Sequence, residues 1–329
     1  MYEMNEKSGI LLKSDALLKP ATLSVSSGFG LRGEFRAILR NSDESIVSDS
    51  GWNSNLIVDN AGWLLDQWYA WYTWMAIGSS ATAPATNNTS IGALLPLGVI
   101  SGGTNPLPYT DYPRPPVAPN YERYSVKKYR FDAGKGTGTV NEFTLGSNNL
   151  GTDIFCRHVL PAPIPKAADQ SLDVYYRIYW YPDLIPRTGT VMIKGVSYDW
   201  ETSFFDLTGY NYSCFAHYDH NSTFASNFRV YDGAKATPTG GTPSGNTANT
   251  ATKSYVNDGA WYRTNRFTAA LDNCNTASNT IKVITVSTYT YHDMQIQVLD
   301  SATGLNGFPK NNTEEMTIDW KITWGRYVP

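Results

Sequence analysis

His217 and His220, three residues apart with Asp219 between them, are the nearest approach to a metal-ligand set in this chain. Imidazole and carboxylate groups close together in sequence can share a zinc ion. At a strand end, however, residues three apart point to opposite faces, and no further ligand set lies near, so no metal site is expected. Two carboxylate pairs, Asp199/Glu201 and Glu314/Glu315, have the residue types of an acid–base couple. A glycosidase holds its two carboxylates roughly 5–10 Å apart across a cleft, and proximity in sequence builds no cleft. Gly134-Lys-Gly136-Thr-Gly138 looks like a phosphate loop but lacks the closing Gly-Lys-Ser/Thr, and it reads as a hairpin turn. Tyr210, Tyr212, Phe215 and Tyr218 could stack on sugar rings, although aromatic clusters of this kind also build cores and sheet faces. The reading is a non-enzyme with no catalytic residue, no cofactor and no bound metal.

Composition points the same way. The 329 residues carry a formal net charge of −3, and charged residues make up only 17%. The one dense basic cluster is Arg123, Lys127, Lys128 and Arg130, with Lys128 and Arg130 on one strand face, which is too little for a nucleic-acid surface. Cys156, Cys214 and Cys274 are odd in number and widely spaced, so buried free thiols are expected rather than a disulfide framework. Met1 to Pro20 has charges throughout and no apolar core, so no signal peptide is expected. Ile91 to Ile100 is too short to span a membrane and is broken by Pro96. A soluble chain with no membrane insertion is expected.

The elements that would position these residues are nearly all strands. Gly51 to Leu95 holds five of the ten tryptophans, and Asn60 to Trp71 reads as one short aromatic helix with Leu64, Leu65, Trp68 and Trp71 on a face. Leu31 to Arg40 alternates as a strand and pairs with Ser45 to Asp49 as a hairpin; Trp71 to Ser79 reads as a buried strand. Ile91 to Leu95 reads as one helical turn, and the proline-rich run Ser101 to Asn120 as an extended connector. Strands follow at Tyr121–Asp132, Thr139–Leu145, Thr152–Leu160 and Leu172–Tyr181. In the last, Val174, Tyr176, Ile178 and Trp180 share a face. Later strands are read at Gly189–Asp199, Tyr212–Tyr218, Phe228–Tyr231, Trp261–Ala269, Thr280–Val286, Met294–Leu299 and Met316–Trp324. Ala234 to Thr252 reads as a flexible surface loop. The expected fold is mainly β: antiparallel sandwich or jelly-roll-like domains, with an N-terminal arm at 1–30, one β domain at 31–182 and another at 183–329.

Several short runs, taken together, resemble tail-fibre-like structural proteins of tailed bacteriophages. Asp49-Ser50-Gly51-Trp52 followed by Asn55-Leu56-Ile57 is similar to their DTGW and NLI pattern, which closes on an Asp. Ala76-Ile77-Gly78-Ser79-Ser80, Ala83-Pro84 and Ile91-Gly92-Ala93-Leu94 are similar to the stretch that follows it. Gly138-Thr-Val140-Asn-Glu142, Leu150 to Leu160, Leu172-Asp-Val174-Tyr-Tyr176 and the closing Thr323-Trp324-Gly325-Arg326-Tyr327 extend the likeness along nearly the whole chain. Asp183 to Thr280 departs from it.

The resemblance implies a virion component assembled in the host cytoplasm and placed in a fibre, baseplate or collar, with no catalytic residue to carry over. The implied partners are other virion proteins and further copies of the chain, as a trimer or ring. Two alternatives stand beside it. One is a host-attachment module that binds a cell-surface glycan or protein through Asp183 to Thr252. The other is a capsid decoration protein.

Overall fold

Ala21 to Arg40 alternates apolar and polar side chains over twenty residues and forms β1 (Ala21–Arg40), the strand around which the rest is arranged. The structure, a computed structural model, describes residues 21–66, 72–103, 122–193, 195–205, 227–237, 241–245, 247–248, 251–259, 261–287, 293–300, 307–310 and 315–327. After β1 come β2 (Ile46–Asp49), β3 (Asn53–Ser54), β4 (Leu56–Ile57) and the helix α1 (Asn60–Asp66). Next are β5 (Trp74–Gly78), β6 (Leu94–Ser101), β7 (Arg123–Phe131), β8 (Gly138–Gly146), β9 (Ile154–Lys166) and β10 (Ser171–Pro182). The second half supplies β11 (Thr188–Ile193), β12 (Val196–Phe205), β13 (Asn227–Tyr231), β14 (Thr247–Ala248), β15 (Thr252–Gly259), β16 (Tyr262–Ala269) and β17 (Thr280–Ile281). The last strands are β18 (Val283–Ser287), β19 (Asp293–Asp300), β20 (Phe308–Pro309) and β21 (Met316–Arg326).

The fold is mainly β, with several antiparallel sheets. The main sheet runs β15-β16-β21-β1-β10-β7, with β2 and β3 also paired to β1. A five-stranded sheet has the order β4-β9-β8-β5-β6, and a six-stranded sheet the order β11-β12-β19-β18-β13-β14. β1 needs two partners along one edge because it is so long. Residues 21–31 pair in parallel with β21, and residues 34–40 pair with β3 and β2.

The five- and six-stranded sheets meet the same face of the main sheet, and β17 pairs with β20 in a separate two-stranded sheet. Phe35 on β1 stacks against Phe143 on β8 at 5.6 Å, and Phe267 on β16 stacks against Phe228 on β13 at 5.1 Å. The core lies in these seams. It includes Val174, Tyr176, Ile178 and Trp180 of β10, and Ile318, Trp320, Ile322 and Trp324 of β21, all buried. β21 lies between β16 and β1, in the interior of the sheet. The helix packs near β9, β15 and β16, where Trp324 Nε1 donates to the Gly62 carbonyl at 3.2 Å. Among the described residues no helix is long and apolar enough to cross a membrane.

Several expectations are corrected. Residues 21–30, expected in an arm, form half of β1, because β21 offers them a ladder partner. The boundary expected at 182/183 falls between strands of one sheet, since β10 and β21 flank β1 from the two halves of the chain. Ile91 to Leu95 is no helical turn. Leu94 pairs with Gly78, and the chain continues as β6 with a bulge before Val99. A short apolar run carries too little periodicity to separate the two states.

Gly189 to Asp199 is not one strand. It folds as the hairpin β11–β12 around Gly195, whose φ of 80° suits glycine. The Gly134–Gly138 turn links β7 and β8, which belong to different sheets, so it is a corner between sheets and not a hairpin. Ala234 to Thr252 is not wholly a loop either: Thr247 and Ala248 pair with β13. Thr280 to Val286 divides at Lys282 into β17 and β18. The aromatic part of the expected helix, 67–71, the proline-rich 104–121 and Tyr212–Tyr218 lie outside the described residues.

Candidate functional site

Glu142 and Arg157 occupy adjacent strands, β8 and β9, and are almost entirely buried. A buried carboxylate persists only when it is paired and hydrogen-bonded, and Glu142 is both. Its Oε1 accepts from Ala93 N at 2.7 Å and Ser80 N at 3.3 Å. Its Oε2 accepts from Gly92 N at 3.0 Å and Arg157 Nε at 2.9 Å. Arg157 also reaches Asn88 Oδ1 at 3.1 Å. The pair thus clamps the small-residue loop 79–93 onto the sheet. Gly78 and Gly92 allow the close approach: a Cβ on Gly78 would meet Glu142 Oε1 at 2.5 Å, and one on Gly92 would meet the Ser80 side chain at 2.8 Å.

A second junction joins the last described residues to β1 and to the segment that leads into α1. Arg326, just before the chain's close, donates to the Ile57 carbonyl and pairs with Asp59. The Arg326 guanidinium, through its hydrogen bond, holds the Asp59 carboxyl below the usual range. Tyr327 N donates to the Leu31 carbonyl at 2.7 Å, and the Tyr327 ring stacks on Tyr181 at 3.7 Å.

The outward face of the main sheet carries the most distinctive cluster of half-buried side chains. Glu34 on β1 accepts from Arg177 Nε at 3.0 Å, from a terminal nitrogen of Arg177 at 2.6 Å and from the Tyr179 hydroxyl at 3.1 Å; Arg32 also pairs with it. The Arg177 guanidinium lies 4.0 Å from the Trp52 ring centre and 5.2 Å from that of Tyr124. Tyr124 packs on Tyr179 at 5.4 Å, and Tyr179 on Tyr181 at 6.2 Å. A continuous ladder of rings and guanidinia therefore crosses from Trp52 to Tyr327. Burial pushes the Tyr179 and Tyr181 hydroxyls up, so both stay protonated and able to donate. Such a surface can stack on a flat apolar face and donate hydrogen bonds around it.

The residues singled out in the sequence are scattered. His217, Asp219, His220, Tyr210, Tyr212, Phe215, Tyr218, Cys214 and Glu314 lie outside the described residues. Asp199 is exposed, and Glu201 pairs with Lys235 at 3.6 Å. Glu315 is exposed. Cys156 and Cys274 are free and buried, with burial pushing their thiols up to about 12 and about 11.

The basic strand is absorbed by the fold. Arg123 is buried, Lys128 pairs with Asp173 at 3.0 Å and Arg130 with Glu44. Lys127 lies 4.0 Å from the Tyr72 ring centre, and burial lowers its ammonium to about 8. Glu34, Glu142, Arg157 and Arg177 did not stand out as a cluster in the sequence. One signal was present: Glu142 is the only charged residue in Thr139–Leu145. Compared with protein-family models, with characterised proteins and with solved structures, the chain matches none.

Proposed function

We propose that the chain is a structural component of a tailed-phage virion, tail-associated as a fibre, baseplate or collar protein, and that it acts by assembling with other virion proteins and with copies of itself. In this reading its sheets form antiparallel sandwiches of a jelly-roll-like kind. One observation carries the proposal: the scattered runs that resemble tail-fibre-like proteins meet in space. Gly78–Ser80, Ile91–Leu94, Glu142 and Arg157 meet at the buried clamp. Ile57, Asp59 and the closing Trp-Gly-Arg-Tyr meet at the terminal junction. Runs that serve one junction have a physical reason to occur together.

The sheet edges support assembly as well. Leu97 on the edge strand β6 is 72% exposed and Met192 on the edge strand β11 is 60% exposed, as expected of strand edges that a neighbour covers. Mass spectrometry and side-chain-resolution imaging of purified particles test the proposal. Copies ordered in the tail are the expected result, and purified virions lacking the chain overturn it.

The Trp52–Tyr327 ladder favours a second reading, a host-surface glycan module. On that reading, saccharide added to the purified chain shifts the tryptophan fluorescence, and Trp52→Ala removes the shift. A glycan array with no retention counts against it.

A further inference from the structure

His158 on β9 sits in the seam between the five-stranded sheet and the main sheet. Its ring stacks on Phe35 of β1 at 5.9 Å and on Phe143 of β8 at 6.3 Å. Nδ1 lies 2.9 Å from the Ser54 carbonyl, an acceptor, so Nδ1 carries the proton and Nε2 is the bare nitrogen of a neutral ring. Nε2 is buried and has no hydrogen-bond partner among the described residues.

Among the described residues, no group accepts from Nε2 or sets a negative charge against it. The titratable groups among the described residues that face this seam are the Tyr129 hydroxyl of β7, which donates to the Tyr72 carbonyl, the Cys156 thiol, two residues along β9, and the Tyr176 hydroxyl of β10, whose ring packs on Phe35 at 4.8 Å. Burial holds the Cys156 and Tyr176 groups neutral through the acid range. Glu34, Glu142 and Arg157 are the strand neighbours of Phe35, Phe143 and His158, so alternation turns them to the opposite faces. Arg177 is turned away from Tyr176 in the same manner. A charge on the ring would therefore stand in an apolar seam without a counter-ion, which is costly.

We propose that His158 is an acid-sensitive latch, and that protonation of its Nε2 loosens the five-stranded sheet from the main sheet. The sign follows from proton linkage. Burial lowers the folded-state value, while the Ser54 carbonyl opposes the shift in part. The unfolded or opened chain therefore binds the proton first. The stabilising contribution is complete above the ordinary histidine value of about 6.5 and is lost as pH falls through the lower folded value.

The test is hydrogen exchange read by NMR on the full chain between about pH 7.5 and about pH 5. The amides of Ile57, Leu145 and Cys156 report on the seam, and those of β16 and β21 serve as the reference. After correction for intrinsic exchange, opening at the seam amides is expected to rise about tenfold per pH unit between the two ring values, the slope of a one-proton linkage. The reference amides should move less, and His158→Gln should flatten the rise. An equal rise in the Gln variant, or no rise in the native chain, overturns the proposal. The imidazole titration of the native chain decides without any variant: a midpoint at or above the ordinary value overturns it too.

Discussion

Two glutamate–arginine pairs hold this molecule in different ways. Glu142–Arg157 is sealed between strands and a loop, with side-chain exposures of 0% and 4%. Glu34–Arg177 lies on the outward face of the main sheet, at 9% and 18%, among aromatic rings. The same chemistry thus serves as an internal clamp in one place and as the centre of an aromatic surface in the other. The distinction lies in what accepts and donates around each carboxylate. Backbone amides of the loop surround Glu142, while side chains of a sheet surround Glu34.

Breaking the clamp should have the largest effect. Arg157→Met leaves Glu142 buried without its counter-ion and should cost about 3–5 kcal/mol, measured by chemical denaturation. Proteolysis within residues 79–93 should accelerate in the same variant. Replacing both partners by apolar residues should cost less than Arg157→Met alone, which a double-mutant cycle will show.

On the outward face, Arg177→Met should cost about 1–3 kcal/mol, because Glu34 keeps Arg32 and the Tyr179 hydroxyl. Tyr327→Ala removes one stacked ring from Tyr181 and should cost about 1 kcal/mol in the same assay. Smallest of all is Arg266→Ala. Arg266 and Asp319 form two hydrogen bonds of 2.7 Å, yet Arg266 is 40% exposed, so the loss should stay below about 1 kcal/mol and shrink further in salt.

Much of the strand plan was legible in the residues. Ile318, Trp320, Ile322 and Trp324 alternate, and they line the core from a central strand. Val174, Tyr176, Ile178 and Trp180 do the same on β10. The failures have physical causes. Ile91–Leu95 is too short to show a period, and the strand state of its last two residues depends on the pairing of Leu94 with Gly78. Residues 21–30 carry alternation, but their sheet partner lies at the far end of the chain. The candidate sites were less legible still, because a Glu in a strand looks the same whether it faces solvent or a loop that folds back over it.

Alternation, turn residues and composition thus determined that this chain is built of strands and which residues share a face. Only the tertiary structure decided that β1 pairs in parallel with β21, that Arg326 meets Asp59 across 267 positions, and that loop 79–93 closes over Glu142. The reason is that side-chain period is a local property of the backbone. The choice of strand partner is not: it is set by which long-range register buries the most apolar surface, and loop-closure entropy, which grows only slowly with length, discriminates weakly among distant partners.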